Sequence, residues 1–62
     1  MNLKALRVSA DLSRKEVASE LGVTVETYRK KESKITPLKL DEGFVLAKLF
    51  GVSIEDIRDA VN

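Results

Sequence analysis

Five short α-helices and no β-strand are the expectation for this 62-residue chain, and three observations carry it. Apolar residues recur three and four apart, as in Leu3, Leu6 and Ala10, and nowhere alternate over the length of a strand. Three segments open on a hydroxyl suited to cap a helix: Ser13 with Glu16, Thr24, and Ser53 with Asp56. Gly22 falls where a helix must stop in a left-handed turn, a conformation open to glycine at no steric cost.

The elements follow in order. Leu3, Leu6 and Ala10 form the inner stripe of a first helix, with Lys4 and Arg7 elsewhere on it. A second starts near Ser13, its capping box reinforced by a hydrophobic staple between Leu12 and Val17, and ends at Gly22. A third starts near Thr24, with Val23 and Tyr28 as its staple; Tyr28 is therefore read as core, its hydroxyl reaching solvent or a phosphate. So short a linker makes the second and third helices cross steeply, and Ala18 is the small side chain that lets their backbones approach. This is a helix-turn-helix pattern. Pro37 marks a loop over Ser33–Lys39, after which Leu40, Phe44 and Ala47, with Leu46 and Phe50 as further candidates, give the inner face of a fourth helix. Lys39 occupies the cap position three residues before Glu42, where a lysine has no acceptor to offer. A fifth helix follows Ser53, its inner face expected at Ile54, Ile57 and Val61.

Length allows one domain over residues 1–62. A chain so short buries only about 60% of its unfolded surface, so dimerisation is a natural source of added stability. There is no cysteine and no histidine, which removes disulfides, thiolate chemistry and the usual zinc ligands. No catalytic residue, metal site, cofactor or small-molecule ligand is expected, and no convergent carboxylate site suggests an enzyme. No apolar run approaches the roughly 20 residues of a membrane span, and the N-terminus lacks a signal peptide's apolar segment, so a cytoplasmic location is expected. Charge is uneven. Residues 1–40 carry nine Lys or Arg against five Asp or Glu, and residues 41–62 carry two against five, within a net charge of +1. The basic end holds the helix-turn-helix, and Arg29, Lys30, Lys31, Lys34 and Lys39 lie in one stretch opposed only by Glu32.

With Ala18, Gly22 and Tyr28 in the motif, LKALR at Leu3–Arg7, and LDEGFVLAKLFGVSIEDI at Leu40–Ile57, the chain resembles the Cro/CI repressor family, also called the Xre family, over nearly its whole length. The resemblance implies a lambda-repressor-like fold and a repressor of phage Cro or stand-alone Xre type, which binds operator DNA as a homodimer, the dimer surface being expected on its fourth and fifth helices. It also implies an ion pair between Arg7 and Glu32 that ties the motif to the scaffold. Departures from the family pattern are Arg14, where glutamine is frequent, Lys31, where an apolar residue is common, and Tyr28, where a smaller aliphatic is usual.

A recognition helix places its first turns against base edges in the major groove, while helix N-termini and the following loop hold phosphates. Val25, Glu26, Thr27, Arg29 and Lys30 are accordingly the candidate base readers. Valine offers only contact with a thymine methyl, glutamate an acceptor for cytosine N4, and arginine or lysine donors for guanine O6 and N7. Ser13, Arg14, Thr24, Lys34 and Lys39 are the candidate phosphate ligands. Glu26 leaves two readings open, because a carboxylate near DNA is repelled unless it finds a cytosine amino group or a cationic neighbour. Either it confers specificity, or the scaffold serves as a protein-interaction module, adaptor or antitoxin-like, without specific DNA readout.

Overall fold

Helix starts in this chain are fixed by side chains that satisfy the first free amides, and the computed structural model, which describes residues 1–62, shows each one. The helices are α1 Leu3–Ser9, α2 Arg14–Leu21, α3 Val25–Glu32, α4 Leu40–Phe50 and α5 Ile54–Val61, and there is no strand. Ser13 Oγ accepts from the Glu16 amide at 3.1 Å while the Glu16 carboxylate accepts from the Ser13 amide at 2.9 Å. Ser53 and Asp56 repeat the exchange at 3.1 and 3.2 Å, and Thr24 Oγ1 accepts from the Thr27 amide at 3.1 Å. Asn2 caps α1 through the Ala5 amide at 2.8 Å; with alanine three residues on, it carries no capping-box signal in the sequence. At Lys39 the box is half built. Glu42 accepts from the Lys39 amide at 2.9 Å, but the Glu42 amide, with no acceptor on Lys39, donates to Asp41 Oδ1 at 3.0 Å.

Helix ends follow one rule. After α1, α2, α3 and α4 the backbone turns left-handed at Asp11, Gly22, Lys34 and Gly51, with φ of 60°, 72°, 64° and 68°. The amide one residue later then donates back into the helix: Leu12 to Arg7, Val23 to Ala18, Ile35 to Lys30 and Val52 to Ala47. These are Schellman closures, in which glycine is the low-energy choice and aspartate is tolerated. A lysine at φ 64° is the costly case.

The core comprises Leu3, Leu6, Val17, Ala18, Tyr28, Leu46, Phe50, Ile57 and Ala60. α2 packs on α3 and α4, and α1 packs on α4 and α5, with α4 against α5. Ala18 is buried, as a steep crossing of α2 and α3 requires. The face of α4 differs from expectation: Leu40 and Phe44 are 74% and 56% exposed, while Gly43, Leu46 and Phe50 turn inward and Ala47 is half-buried. LDEGFVLAKLF is apolar on most sides, so spacing alone selects no face. Glu42 shares the inward face with the core residues Leu46 and Phe50, its carboxylate meeting Lys31 Nζ at 3.0 Å. On α5, Ile57 and Ala60 are buried, whereas Ile54 and Val61 are only half-buried.

Two ion pairs lie inside this small fold. Arg7 donates from Nε to Glu32 Oε2 at 2.8 Å and from Nη2 to Oε1 at 3.4 Å, while its Nη1 holds the Leu12 carbonyl at 2.8 Å. Lys31, buried together with its amine, meets Glu42 and also donates to the Pro37 carbonyl at 3.4 Å, closing the loop between α3 and α4. Tyr28 is wholly buried, so its hydroxyl reaches neither solvent nor phosphate and has no partner at hydrogen-bonding geometry. The Glu32 carboxylate lies near enough to add to the rise in its pKa that burial causes. Burial also pushes the Glu32 carboxyl up, but hydrogen bonds centred on Arg7 outweigh it and hold that group below the ordinary 4.5.

Three predictions arise from this packing. A Cβ on Gly43 would meet Ile54, Ile57 and Leu38 at 3.6–3.9 Å, ordinary contact, so Gly43→Ala should stabilise the fold by about 1 kcal/mol in chemical denaturation. Lys39→Thr should add about 0.5 kcal/mol, the low end for a cap because Asp41 already accepts from the Glu42 amide. A loss in either variant would show that α4 needs the native residue there. Because the folded pKa of Glu32 lies below 4.5, its contribution to stability is complete above that value and disappears as pH falls through the folded pKa. Urea midpoints should therefore drop on acidification, and Glu32→Gln should lower stability at neutral pH while flattening that slope. Some slope should persist from Glu16, whose carboxyl the Ser13 amide holds low.

Candidate nucleic-acid interface

Because α3 has only eight residues, its burial pattern separates two faces cleanly. Tyr28, Lys31 and Glu32 point inward, whereas Val25, Glu26 and Lys30 are exposed and Arg29 keeps 41% of its side-chain surface. Four of the five expected base readers thus share one open face. The fifth, Thr27, is half-buried at its edge, its hydroxyl accepting from Thr24 Oγ1 at 2.8 Å.

On that face Glu26 has found its cation. Arg29 grips it with Nε on Oε1 at 2.9 Å and Nη2 on Oε2 at 2.6 Å, a two-point pair one helical turn apart. Hydrogen bonding to Arg29 holds the Glu26 carboxyl below its ordinary value, and Lys30 adds a weaker attraction.

The expected phosphate ligands lie around this face. Ser13 and Thr24 are exposed, but both hydroxyls are engaged as caps; what they leave outward are the first amides of α2 and α3. Arg14, at the start of α2, donates from Nε to Glu32 Oε1 at 3.2 Å and keeps 40% of its side-chain surface. Lys34 and Lys39 are exposed and make no ion pair, as is true of Lys30. The basic stretch is therefore weaker than its sequence suggests: Lys31 is spent on Glu42 and Arg29 on Glu26. Sequence reasoning misses the Lys31 pairing because the partner lies in another helix, although Glu42 as the third residue of a helix is itself a cap signal.

Arg7 and Glu32 form the ion pair that the resemblance implied, both buried and away from the open face. The pair joins the last turn of α3 to α1. No grouping of three or more metal-capable side chains occurs, and no helix is long and apolar enough to cross a membrane.

The family comparison agrees with this architecture. A helix-turn-helix family model matches residues 3–57, from the first residue of α1 into α5. No curated protein and no solved structure matches the chain. With the match covering all of the first four helices and the capped helix-turn-helix at its centre, the chain belongs to the Xre/Cro/CI-type helix-turn-helix family of DNA-binding transcription regulators.

Proposed function

We propose that this protein is a sequence-specific repressor that acts by occupying a double-stranded DNA operator as a homodimer, in the manner of a phage Cro or stand-alone Xre regulator. The observation that carries the reading is the division of α3 into an anchored inner face and an open outer one bearing Val25, Glu26, Arg29 and Lys30. In the major groove Arg29 and Lys30 donate to guanine, Val25 meets a thymine methyl, and Thr27 touches the groove edge. Arg14, Lys34, Lys39 and the outward amides beside Ser13 and Thr24 hold phosphates. Lys34 gives this assignment further support. The chain places a long, exposed cation just past α3, where glycine would be less strained. The dimer reading draws on Leu40 and Phe44, apolar yet outward, beside a groove between α4 and α5 lined by Leu38, Ile54 and Val61.

Selection from a random-centre duplex library, followed by footprinting, tests the reading. It should return a two-fold symmetric site with half-sites about 10 bp apart, or a multiple of that spacing. Recovery of no motif at moderate salt would favour a protein-interaction role for the same surface.

Lys34→Gly should show opposite effects on stability and binding. It should raise stability by up to about 1 kcal/mol by removing left-handed strain, while flattening the slope of log affinity against log salt by about 0.9, because one phosphate fewer is neutralised. A more stable variant with the parental slope would remove Lys34 from the phosphate ligands.

A further inference from the structure

We propose that Glu26 is a positioning residue for guanine recognition: it reads no base itself but aims the Arg29 guanidinium, and the two side chains act as one reader. The inference rests on α3 being the recognition helix and specifies which base that helix selects. The side edge of the guanidinium, Nε with Nη2, lies on the two oxygens of Glu26 at 2.9 and 2.6 Å. That leaves the end edge, Nη1 with the second hydrogen of Nη2, without a protein partner. Two parallel donors on that edge are the fork that fits guanine O6 and N7. Holding a long, flexible side chain in one orientation before contact removes part of the ordering cost of binding.

The same pairing accounts for a glutamate on a surface that faces phosphates. Each Glu26 oxygen already accepts a charge-assisted hydrogen bond, so the local charge is balanced and repulsion from DNA is relieved. A cytosine N4 would have to compete with Arg29 for those oxygens. Arg29, with its charge offset, becomes a poor phosphate ligand and a directional base ligand. Both side chains are largely exposed, at 61% and 41%, and neither contributes to the core, so substitutions here leave the fold intact.

The test begins from the duplex returned by random-centre selection and measures binding to its single-base variants. Arg29→Ala should reduce preference for guanine at one base-pair position by roughly 5- to 150-fold. Glu26→Ala should relax the same position part of the way, and should change the ranking no further once Arg29 is alanine. Glu26→Gln, which retains one acceptor for Nε, should keep guanine as the favoured base with a smaller margin. In the free protein the Arg29 Nε–H resonance should shift and exchange faster with water in Glu26→Ala. The proposal is overturned if Glu26→Gln moves preference to adenine, if Glu26→Ala alters the ranking equally with and without Arg29, or if the Nε–H resonance ignores the substitution. Those outcomes leave α3 as the recognition helix. Selection that returns no motif, by contrast, removes the underlying reading and this inference with it.

Discussion

The Glu32 carboxylate, held by Arg7 from α1 and by Arg14 from α2, is the interaction on which the rest of the arrangement depends. An eight-residue helix is too short to persist in water without tertiary contacts. α3 offers the core a single large apolar side chain, Tyr28; its other inward residues are Lys31 and Glu32. It is docked by one ring and two charges. Apolar packing alone would leave so short a helix free to roll about Tyr28, whereas hydrogen-bonded ion pairs at its C-terminal turn are directional. Glu32 ties that turn back to α1 and α2, and Lys31 ties it forward to Glu42 at the start of α4. The rotation that sends Tyr28, Lys31 and Glu32 inward also turns Val25, Glu26, Arg29 and Lys30 outward.

Electrostatics on the outer face follow from what the inner face consumes. Of the cations clustered from Arg29 to Lys39, Lys31 is neutralised in the interior and Arg29 on the surface, which leaves Lys30, Lys34 and Lys39 to act at range. Few free charges and one guanidinium already paired to Glu26 are what the proposed base discrimination, rather than indiscriminate attraction to phosphate, would require. In a protein with net charge of +1, the proposed grip on phosphates rests on where the free cations stand, Lys34 among them.

Legibility in the sequence tracks how local each interaction is. Caps at Ser13, Thr24 and Ser53 and the stop at Gly22 join residues three or four apart, so their chemistry can be read along the chain, and the five-helix plan with its helix-turn-helix follows from them. The Arg7–Glu32 pair spans 25 residues and is expected only through family resemblance. Lys31 with Glu42 has no local signature, and without it the inward face of α4 is ambiguous, which is why spacing points to Leu40 and Phe44 as inner residues. Likewise the composition of α3 names its candidate readers, but that Glu26 and Arg29 are joined emerges only in side-chain geometry. The left-handed Lys34 is hidden because lysine, unlike glycine or asparagine, carries no signal for that conformation.

Comparing Arg7→Met and Glu32→Leu singly and together, by chemical denaturation, tests most directly whether the buried pair docks α3. Glu32→Leu leaves the buried Arg7 with only the Leu12 carbonyl, and Arg7→Met leaves Glu32 with only the partly exposed Arg14, so each single change should cost about 3 kcal/mol. The double variant replaces the pair with apolar contacts and should recover most of that loss apart from about 1 kcal/mol for the Leu12 carbonyl that Arg7 no longer satisfies. Losses that simply add in the double variant would contradict the account, since Arg7 and Glu32 would then contribute independently and the orientation of α3 would have another cause.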